Sequence, residues 1–124
     1  MPELTLTLLP EAYKVLQFPP ETPLPAFPRG AFVSVTLNEE ELSIVCPQSV
    51  ELEAPQVSLD WRCFKFEGPF AFDQTGILNA VTSPLAVAGV GIFAISTYNT
   101  DYLLVKAHQL EVTLEALRAA GHRV

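Results

Sequence analysis

The sequence predicts an α+β fold made of two related halves, each built as a ferredoxin-like antiparallel sheet with helices on one face. Three observations support this fold class. Apolar and polar residues alternate in several short segments, as they do in half-buried strands. Two segments of the second half have helical spacing. A strand, polar turn and strand recur at about half of the 124-residue length, which suggests duplication of one unit.

The first half of the chain is predicted to contain strands and almost no helix. Leu4–Leu9 and Tyr13–Phe18 are predicted to form a hairpin that turns through Pro10–Ala12. Phe32–Thr36 and Leu42–Cys46 are predicted to form a second hairpin. Nine of the 11 prolines lie within the first 55 residues, and proline removes the backbone donor that a helix needs. We therefore expect an extended connection between the two hairpins.

The second half is predicted to follow the order β-α-β-β-α, ending in a stub of strand. A proline at position 84 is expected either to kink the first helix or to lie in the first turn of a later helical segment. This order is the split βαβ arrangement of a ferredoxin-like unit. The predicted elements are, in order, the strand Trp61–Glu67, the helix Thr75–Ala88, the strands Ile92–Thr97 and Tyr102–Ala107, the helix Gln109–Ala120 and the stub at residues 122–124.

The two halves can be aligned with each other. Thr36–Asn38 falls opposite Thr97–Asn99 at an offset of 61 residues, and Glu41–Val45 falls opposite Asp101–Val105 at an offset of 60. The first half has no helix to cover its sheet and the second has no proper closing strand, so we expect the halves to complete each other. The sequence therefore predicts a helix-poor module at residues 1–57 and a second module at residues 58–124.

Charge and composition argue against several classes of function. Eight acids and two bases lie in residues 1–55, and they account for most of the net charge of −7. Such a chain is a poor match for nucleic acid or an anionic membrane, because phosphate neutralisation supplies much of that affinity. No apolar run approaches the ~20 residues of a membrane span, and no signal-peptide pattern opens the chain. We therefore expect a cytoplasmic protein that binds neither nucleic acid nor membrane.

The residues that usually carry chemistry do not assemble into a catalytic or metal site. Cys46 and Cys63 have no metal-ligand spacing and are expected to be buried in strands. His108 and His122 lie near the ends of the last helix, and the pattern shows no serine elbow, phosphate loop or paired carboxylates. The expectation is a protein that is not an enzyme and holds no metal or cofactor.

Three segments of the second half carry a family resemblance: Phe72–Ile77, Ser83–Ala86 and Ile95–Val105. They resemble the ACT domains of the aspartate-kinase regulatory type, and most closely the small bacterial relatives of the cytosolic arginine-sensor (CASTOR) family. The resemblance covers nearly the whole chain and is strongest over residues 60–120. It implies a tandem ACT fold of βαββαβ modules, often dimeric, that senses amino acids and regulates another protein.

Two polar segments are the candidate ligand-binding region. The loop before the first helix leads to a helix N-terminus, whose unpaired N–H groups and positive dipole end suit a carboxylate. At the turn between the two central strands, Asp101 is placed to pair an ammonium or a cationic side chain. Asp73 is either a second partner for the ligand's ammonium or a plain N-cap, and the turn also has an ordinary role, since polar residues are common in solvated turns. The candidate residues are Asp73, Thr75, Gly76, Ile77, Leu78, Ser96, Thr97, Tyr98, Asn99 and Asp101.

The resemblance therefore implies a regulatory module that binds a free amino acid, with arginine or another cationic one as a candidate. The ligand would lie at the seam between two ACT units, within one chain or across a homodimer. An alternative is an interaction protein that uses the fold without a ligand, through exposed strand edges and its acidic first half. A third is a degenerate regulatory fragment of a biosynthetic enzyme that acts in trans.

Overall fold

The computed structural model describes residues 2–124, which form two compact units. The helical unit combines the residues up to Pro10 with Arg62–Val124, and the strand unit consists of Glu11–Trp61. These ranges differ from the predicted division at residue 57. The reason is that two long strands, β1 (Leu6–Phe18) and β4 (Gln56–Phe66), each contribute residues to both units.

Strand β1 continues through the position where a hairpin turn was expected. It runs without interruption from Leu6 to Phe18, so the turn predicted at Pro10–Ala12 is wrong. Proline is tolerated in a strand where no neighbour needs its missing N–H. Strand β3 (Leu42–Pro47) pairs with β1 in antiparallel orientation, and the paired residues of β1 are Tyr13–Phe18. Pro10 lies outside this paired region.

The strand unit consists of a sheet and the irregular segments that cover it. Its order is β2 (Ser34–Leu37), β3, the second part of β1 and the first part of β4. Residues 2–76 contain no helix, as the proline content predicts. The buried cluster of this unit is Leu16, Phe18, Leu42, Ile44 and Cys46, with Phe27, Val33, Val50, Leu52 and Ala54 packed against it.

A buried lysine fastens one of the covering segments to this sheet. Lys14 is 8% exposed, and its Nζ donates hydrogen bonds to the carbonyl oxygens of Val50 at 2.6 Å and Leu52 at 3.3 Å. An extended segment has no helical partner for its carbonyls, and a buried carbonyl without a donor is costly. The ammonium therefore supplies the hydrogen bonds that a helix would have made internally.

The helical unit has the order of elements that the sequence predicts. After β4 come α1 (Ile77–Val87), β5 (Ile92–Ser96), β6 (Asp101–Lys106), a 3₁₀ turn at residues 107–109 and α2 (Leu110–Ala119). The strands lie in the order β1, β4, β6, β5. In the core of this unit, residues of both helices pack against residues of the sheet. The core includes Leu6, Phe64, Phe66, Val81, Leu85, Leu103, Val105 and Leu117.

The closing strand of the helical unit comes from the beginning of the chain. The predicted stub at residues 122–124 makes only a single parallel bridge, between Arg123 and Thr5. Around it, the Leu6 N–H donates to the Arg123 carbonyl at 2.8 Å and the Arg123 N–H donates to the Leu4 carbonyl at 2.9 Å. Strand β1 lies beside β4, at the place that the last strand of a βαββαβ unit would take.

A histidine compensates for the proline inside α1. Pro84 lies within the helix, so it offers no N–H to the carbonyl of Ala80, four residues earlier. His122, only 5% exposed, fills this gap, because its Nε2 lies 2.8 Å from that oxygen. Its Nδ1 accepts the Leu4 N–H at 3.1 Å. Because Nδ1 accepts this hydrogen bond, Nε2 is the nitrogen that donates its proton to the Ala80 carbonyl.

The two hairpins have the same connection length. In the strand unit Leu37 pairs with Leu42, and in the helical unit Ser96 pairs with Asp101, so four residues join the strands in each case. From Leu37 to Ser96 and from Leu42 to Asp101 the offset is 59 residues, one or two fewer than the sequence alignment predicts.

Candidate functional site

A small cleft lies between the loop that precedes α1 and the turn that joins β5 to β6. We call it the turn cleft; its volume is about 240 Å³, and every residue that lines it belongs to the helical unit. The residues are Phe70, Ala71, Phe72, Gln74, Ile77, Ser96, Thr97, Tyr98, Asn99, Thr100 and Asp101.

Hydrogen bonds hold the β5–β6 turn in place. The Thr97 N–H donates to the carbonyl of Thr100 at 2.8 Å, and the Thr97 hydroxyl donates to the same oxygen at 3.0 Å. Thr100 is buried, and its Oγ1 donates to the carbonyl of Phe66 at 2.6 Å. The turn is thereby attached to the end of β4, which gives this wall of the cleft a fixed position.

The loop that forms the other wall is tied to the same turn. The Phe70 N–H donates to the carbonyl of Asn99 at 2.9 Å, and Gln74 Oε1 accepts the Ala71 N–H at 2.7 Å. The chain passes close to itself at Gly68, where a Cβ would lie 3.0 Å from the Phe70 nitrogen and 3.3 Å from the Asn99 oxygen. Only glycine fits at this distance without a shift of backbone atoms.

The turn cleft has one fixed negative charge and one helix N-terminus. Asp101 is the one charged side chain among the described residues that line it, and its Oδ1 accepts the Ser96 hydroxyl at 2.5 Å. Helix α1 begins after Gly76, which has φ 77°; no side chain of the described residues caps it, and its first turn holds no acid. Ile77, its first residue, lines the cleft. An ammonium suits the first feature and a carboxylate suits the second.

The structure brings together six of the ten predicted site residues. Ile77 and five residues of the turn line the cleft, whereas Asp73, Thr75, Gly76 and Leu78 do not. The predicted N-cap role of Asp73 is wrong, because Gly76 takes that position and makes the turn into the helix with a left-handed conformation. Asp73 is exposed. The five turn residues that line the cleft are Ser96, Thr97, Tyr98, Asn99 and Asp101.

The sequence reasoning missed an aromatic pair at the edge of the cleft. The rings of Phe72 and Tyr98 meet edge to face, with centroids 4.9 Å apart and planes at 81°. Phe72 is 77% exposed and Tyr98 is 81% exposed, and contiguous exposed apolar patches can mark interaction sites. The available signal was the apolar run Phe70–Phe72 in a loop that follows Gly68.

The cysteines are placed for packing. Both are buried, and burial raises the pKa of the Cys63 thiol to about 12. Burial also raises the pKa of Cys46, an effect that the Lys14 charge partly opposes. Both thiols are therefore protonated near neutral pH, a state in which sulfur is a weak nucleophile.

Across residues 2–124 no group of histidine, cysteine and acidic side chains could hold a metal ion, and no helix there has the length and apolarity to cross a membrane.

Comparison with known proteins identifies the domain family of the chain. Residues 56–119 match the family model described as ACT domain. The bovine cytosolic arginine sensor for mTORC1 subunit 1 is 31% identical over 96 residues, which are 71% of this chain and 29% of that protein. The human protein of the same name is 30% identical over 95 residues. The matched region thus spans less than a third of these relatives.

Solved structures share the fold of this chain. The crystal structure of protein Atu0741 from Agrobacterium tumefaciens is 43% identical, with a TM-score of 0.91 over 99% of this chain and 92% of that one. The ligand-free regulatory subunit of aspartate kinase from Thermus thermophilus has a TM-score of 0.63 over 94% of this chain and 96% of that one; at 13% identity, this shows a likeness of fold alone. With its family-model match, its ferredoxin-like order of elements and these relatives, the chain belongs to the ACT domain family.

Proposed function

We propose that this chain is a non-catalytic, cytoplasmic regulatory module that binds a free amino acid in the turn cleft. The observation that carries the proposal is that one small cleft joins the Asp101 carboxylate to the uncapped N-terminus of α1. A free amino acid carries the two opposite charges that these features favour. The regulatory character of the relatives supports the same conclusion.

In this proposal the ligand's carboxylate accepts backbone N–H groups at the start of α1, beginning with Ile77, and its ammonium pairs with Asp101. The Ser96 hydroxyl orients the Asp101 carboxylate, while Thr97 and Asn99 provide further polar atoms at the cleft wall. Asp73 has no part in it, because it does not line the cleft. A cleft of about 240 Å³ is small beside ordinary ligand pockets of ~300–1,000 Å³, which favours a single amino acid over a peptide.

The ligand class that we test first is a cationic amino acid. The described residues that line the turn cleft include an acid and no base, and the whole chain carries a net charge of −7. Relatives of this chain are named as arginine sensors. Arginine and lysine are therefore the first two ligands to measure, with the neutral amino acids as comparison.

We further propose a tandem ACT arrangement and a homodimer. The strand unit would be a second ACT-like module that has lost its helices, as the shared four-residue hairpin connection supports. The turn cleft is open to solvent at Phe72 and Tyr98, and a second copy of the chain would close it there. The ligand would then lie at a seam between ACT units.

Thermal unfolding of the purified chain with each of the twenty amino acids tests the proposal. A ligand that binds only the folded state stabilises it by about 2.7 kcal/mol at a hundredfold excess over Kd, so the melting temperature must rise. Asp101→Asn should abolish the rise, and Asp73→Asn, a matched change outside the cleft, should keep it. If no amino acid at millimolar concentration shifts the melting temperature of the wild-type chain, the binding proposal is refuted.

One observation favours a second candidate function, an interaction module without a ligand. Phe72 and Tyr98 expose more than three-quarters of their surface while touching each other, and aromatic side chains are enriched at binding hot spots. In that case Tyr98→Ala should dissociate an oligomer, measured by sedimentation velocity in the absence of any amino acid. A sedimentation coefficient that is the same for the variant and the wild type would contradict this function.

A further inference from the structure

A second cleft, of about 220 Å³, lies on the other side of the β5–β6 turn. We call it the strand cleft; it shares Thr97, Asn99 and Thr100 with the turn cleft, and its other walls include Lys65, Glu67 and Tyr102. All of these residues belong to the helical unit.

The alternation of side chains explains why the two clefts are separate. Phe64 and Phe66 of β4 pack in the core with the helices, so Lys65 and Glu67, which alternate with them, point to the opposite face of the sheet. On β6, Leu103 belongs to the same core, so its neighbour Tyr102 also points away from the helices. The strand cleft therefore opens on the face that α1 and α2 do not cover.

The strand cleft contains one positive and one negative side chain at neighbouring positions of this face. Lys65 is half-buried, and its ammonium makes no hydrogen bond or ion pair with residues 2–124. The Glu67 carboxylate is held in place, because the Thr7 hydroxyl donates to its Oε1 at 2.6 Å. The Cα atoms of residues two apart on a strand are about 6–7 Å apart, so the two charged side chains leave the same face of the sheet as neighbours and line one cleft.

We propose that the strand cleft is a second binding site, and that its ligand is the zwitterionic end of a free α-amino acid. The ligand's carboxylate pairs with the Lys65 ammonium, and its α-ammonium pairs with the Glu67 carboxylate. A ligand with a single charge would pair with only one of the two charged side chains, so the pair selects molecules that carry both charges. The inference shares its ligand class with the proposed function but rests on different side chains.

Amide chemical shifts of the ¹⁵N-labelled full chain test this site with three probes: glycine, acetate and methylammonium. The amides of Gly68 and Tyr102 report on the strand cleft, and those of Gln74 and Ile77 report on the turn cleft. We expect glycine to shift Gly68 and Tyr102 with saturation. Acetate and methylammonium should each bind about tenfold more weakly or worse, because each makes one of the two charge-assisted contacts.

Substitutions in the cleft and a matched control complete the experiment. Lys65→Met and Glu67→Gln should each weaken glycine binding by about tenfold or more, whereas Lys106→Met, which changes a lysine outside the cleft, should leave it unchanged. The same spectra show whether each variant is folded. Unshifted Gly68 and Tyr102 amides, unchanged affinity in Lys65→Met, or equal binding of acetate and glycine would each overturn the proposal.

The two reporter sets separate this proposal from the proposed function. Saturable shifts at Gln74 and Ile77 alone would overturn the strand-cleft site and support binding in the turn cleft. Saturable shifts at Gly68 and Tyr102 alone would support the strand-cleft site and count against the turn cleft as the binding site.

Discussion

The hydrogen bond from His122 to the carbonyl of Ala80 gives a quantitative test of how the helical unit is stabilised. His122→Phe keeps a ring of similar size at a position that is 5% exposed but removes both ring nitrogens. The Ala80 oxygen then loses a donor at 2.8 Å and the Leu4 N–H loses an acceptor at 3.1 Å. Each buried group without a partner costs about 1–3 kcal/mol, so the free energy of unfolding should fall by about 2–6 kcal/mol.

Pro84 makes this prediction specific, because it is the reason that the Ala80 carbonyl needs an outside donor. Pro84→Ala restores an N–H at position 84, which can donate to that carbonyl as in an ordinary helix. In this background His122→Phe should leave only the Leu4 N–H without a partner. The substitution should therefore lower the free energy of unfolding by about 1–3 kcal/mol less than it does in the wild-type chain. A double-mutant cycle measures this difference as a coupling energy between the two positions.

Urea denaturation followed by circular dichroism at the helix band provides the four free energies. His108→Phe is the matched control, because His108 is exposed and surface changes usually stay within about 0.5 kcal/mol. If His122→Phe lowers the free energy of unfolding equally in the wild-type and Pro84→Ala backgrounds, the reasoning is refuted, since the histidine would then not be compensating for the proline.

Three further perturbations have definite expected results. Lys14→Met should lower the free energy of unfolding by about 1–3 kcal/mol in urea denaturation, because the half-buried carbonyls of Val50 and Leu52 lose their donor; full stability in the variant would contradict this role. Gly68→Ala places a Cβ 3.0 Å from the Phe70 nitrogen, so we expect a loss of about 1–3 kcal/mol and shifted amides in both clefts; an unchanged amide spectrum would count against the close approach. Burial raises the pKa of Cys63 from 9.0 to about 12, so between these pH values the folded chain keeps a proton that the unfolded chain releases. The free energy of unfolding should then fall with rising pH in that window, and it should fall less steeply in Cys63→Ala; parallel pH profiles would argue against the shift.

The second half of the chain could be predicted well from sequence, because its signals are local. The helical spacing within residues 75–88 and 109–120 predicts α1 and α2 with ends within a few residues of those observed. The polar turn before Asp101 and the loop that leads into the first helix are also local patterns, and they contain the six predicted residues that line the turn cleft.

The features that sequence reasoning missed depend on distant contacts. Pro10–Ala12 has the composition of a turn, yet pairing with separate partners on either side makes it part of one long strand. The contact between Phe72 and Tyr98 joins a loop to a turn 26 positions away. The sequence of neither segment indicates which distant residues it will contact. At Pro10–Ala12, strand pairing therefore overrode the local preference for a turn.

The two-segment make-up of the helical unit has a consequence for the order in which the protein can fold as it is synthesised. The strand unit is continuous in sequence, so all of its residues have been synthesised once Trp61 has been added. The helical unit must wait, because Leu4 and Leu6 find their partners at residues 122 and 123. During that interval the first segment keeps apolar side chains in water, and contacts of such long range form slowly. Leu4 and Leu6 are thus translated long before the residues with which they pair.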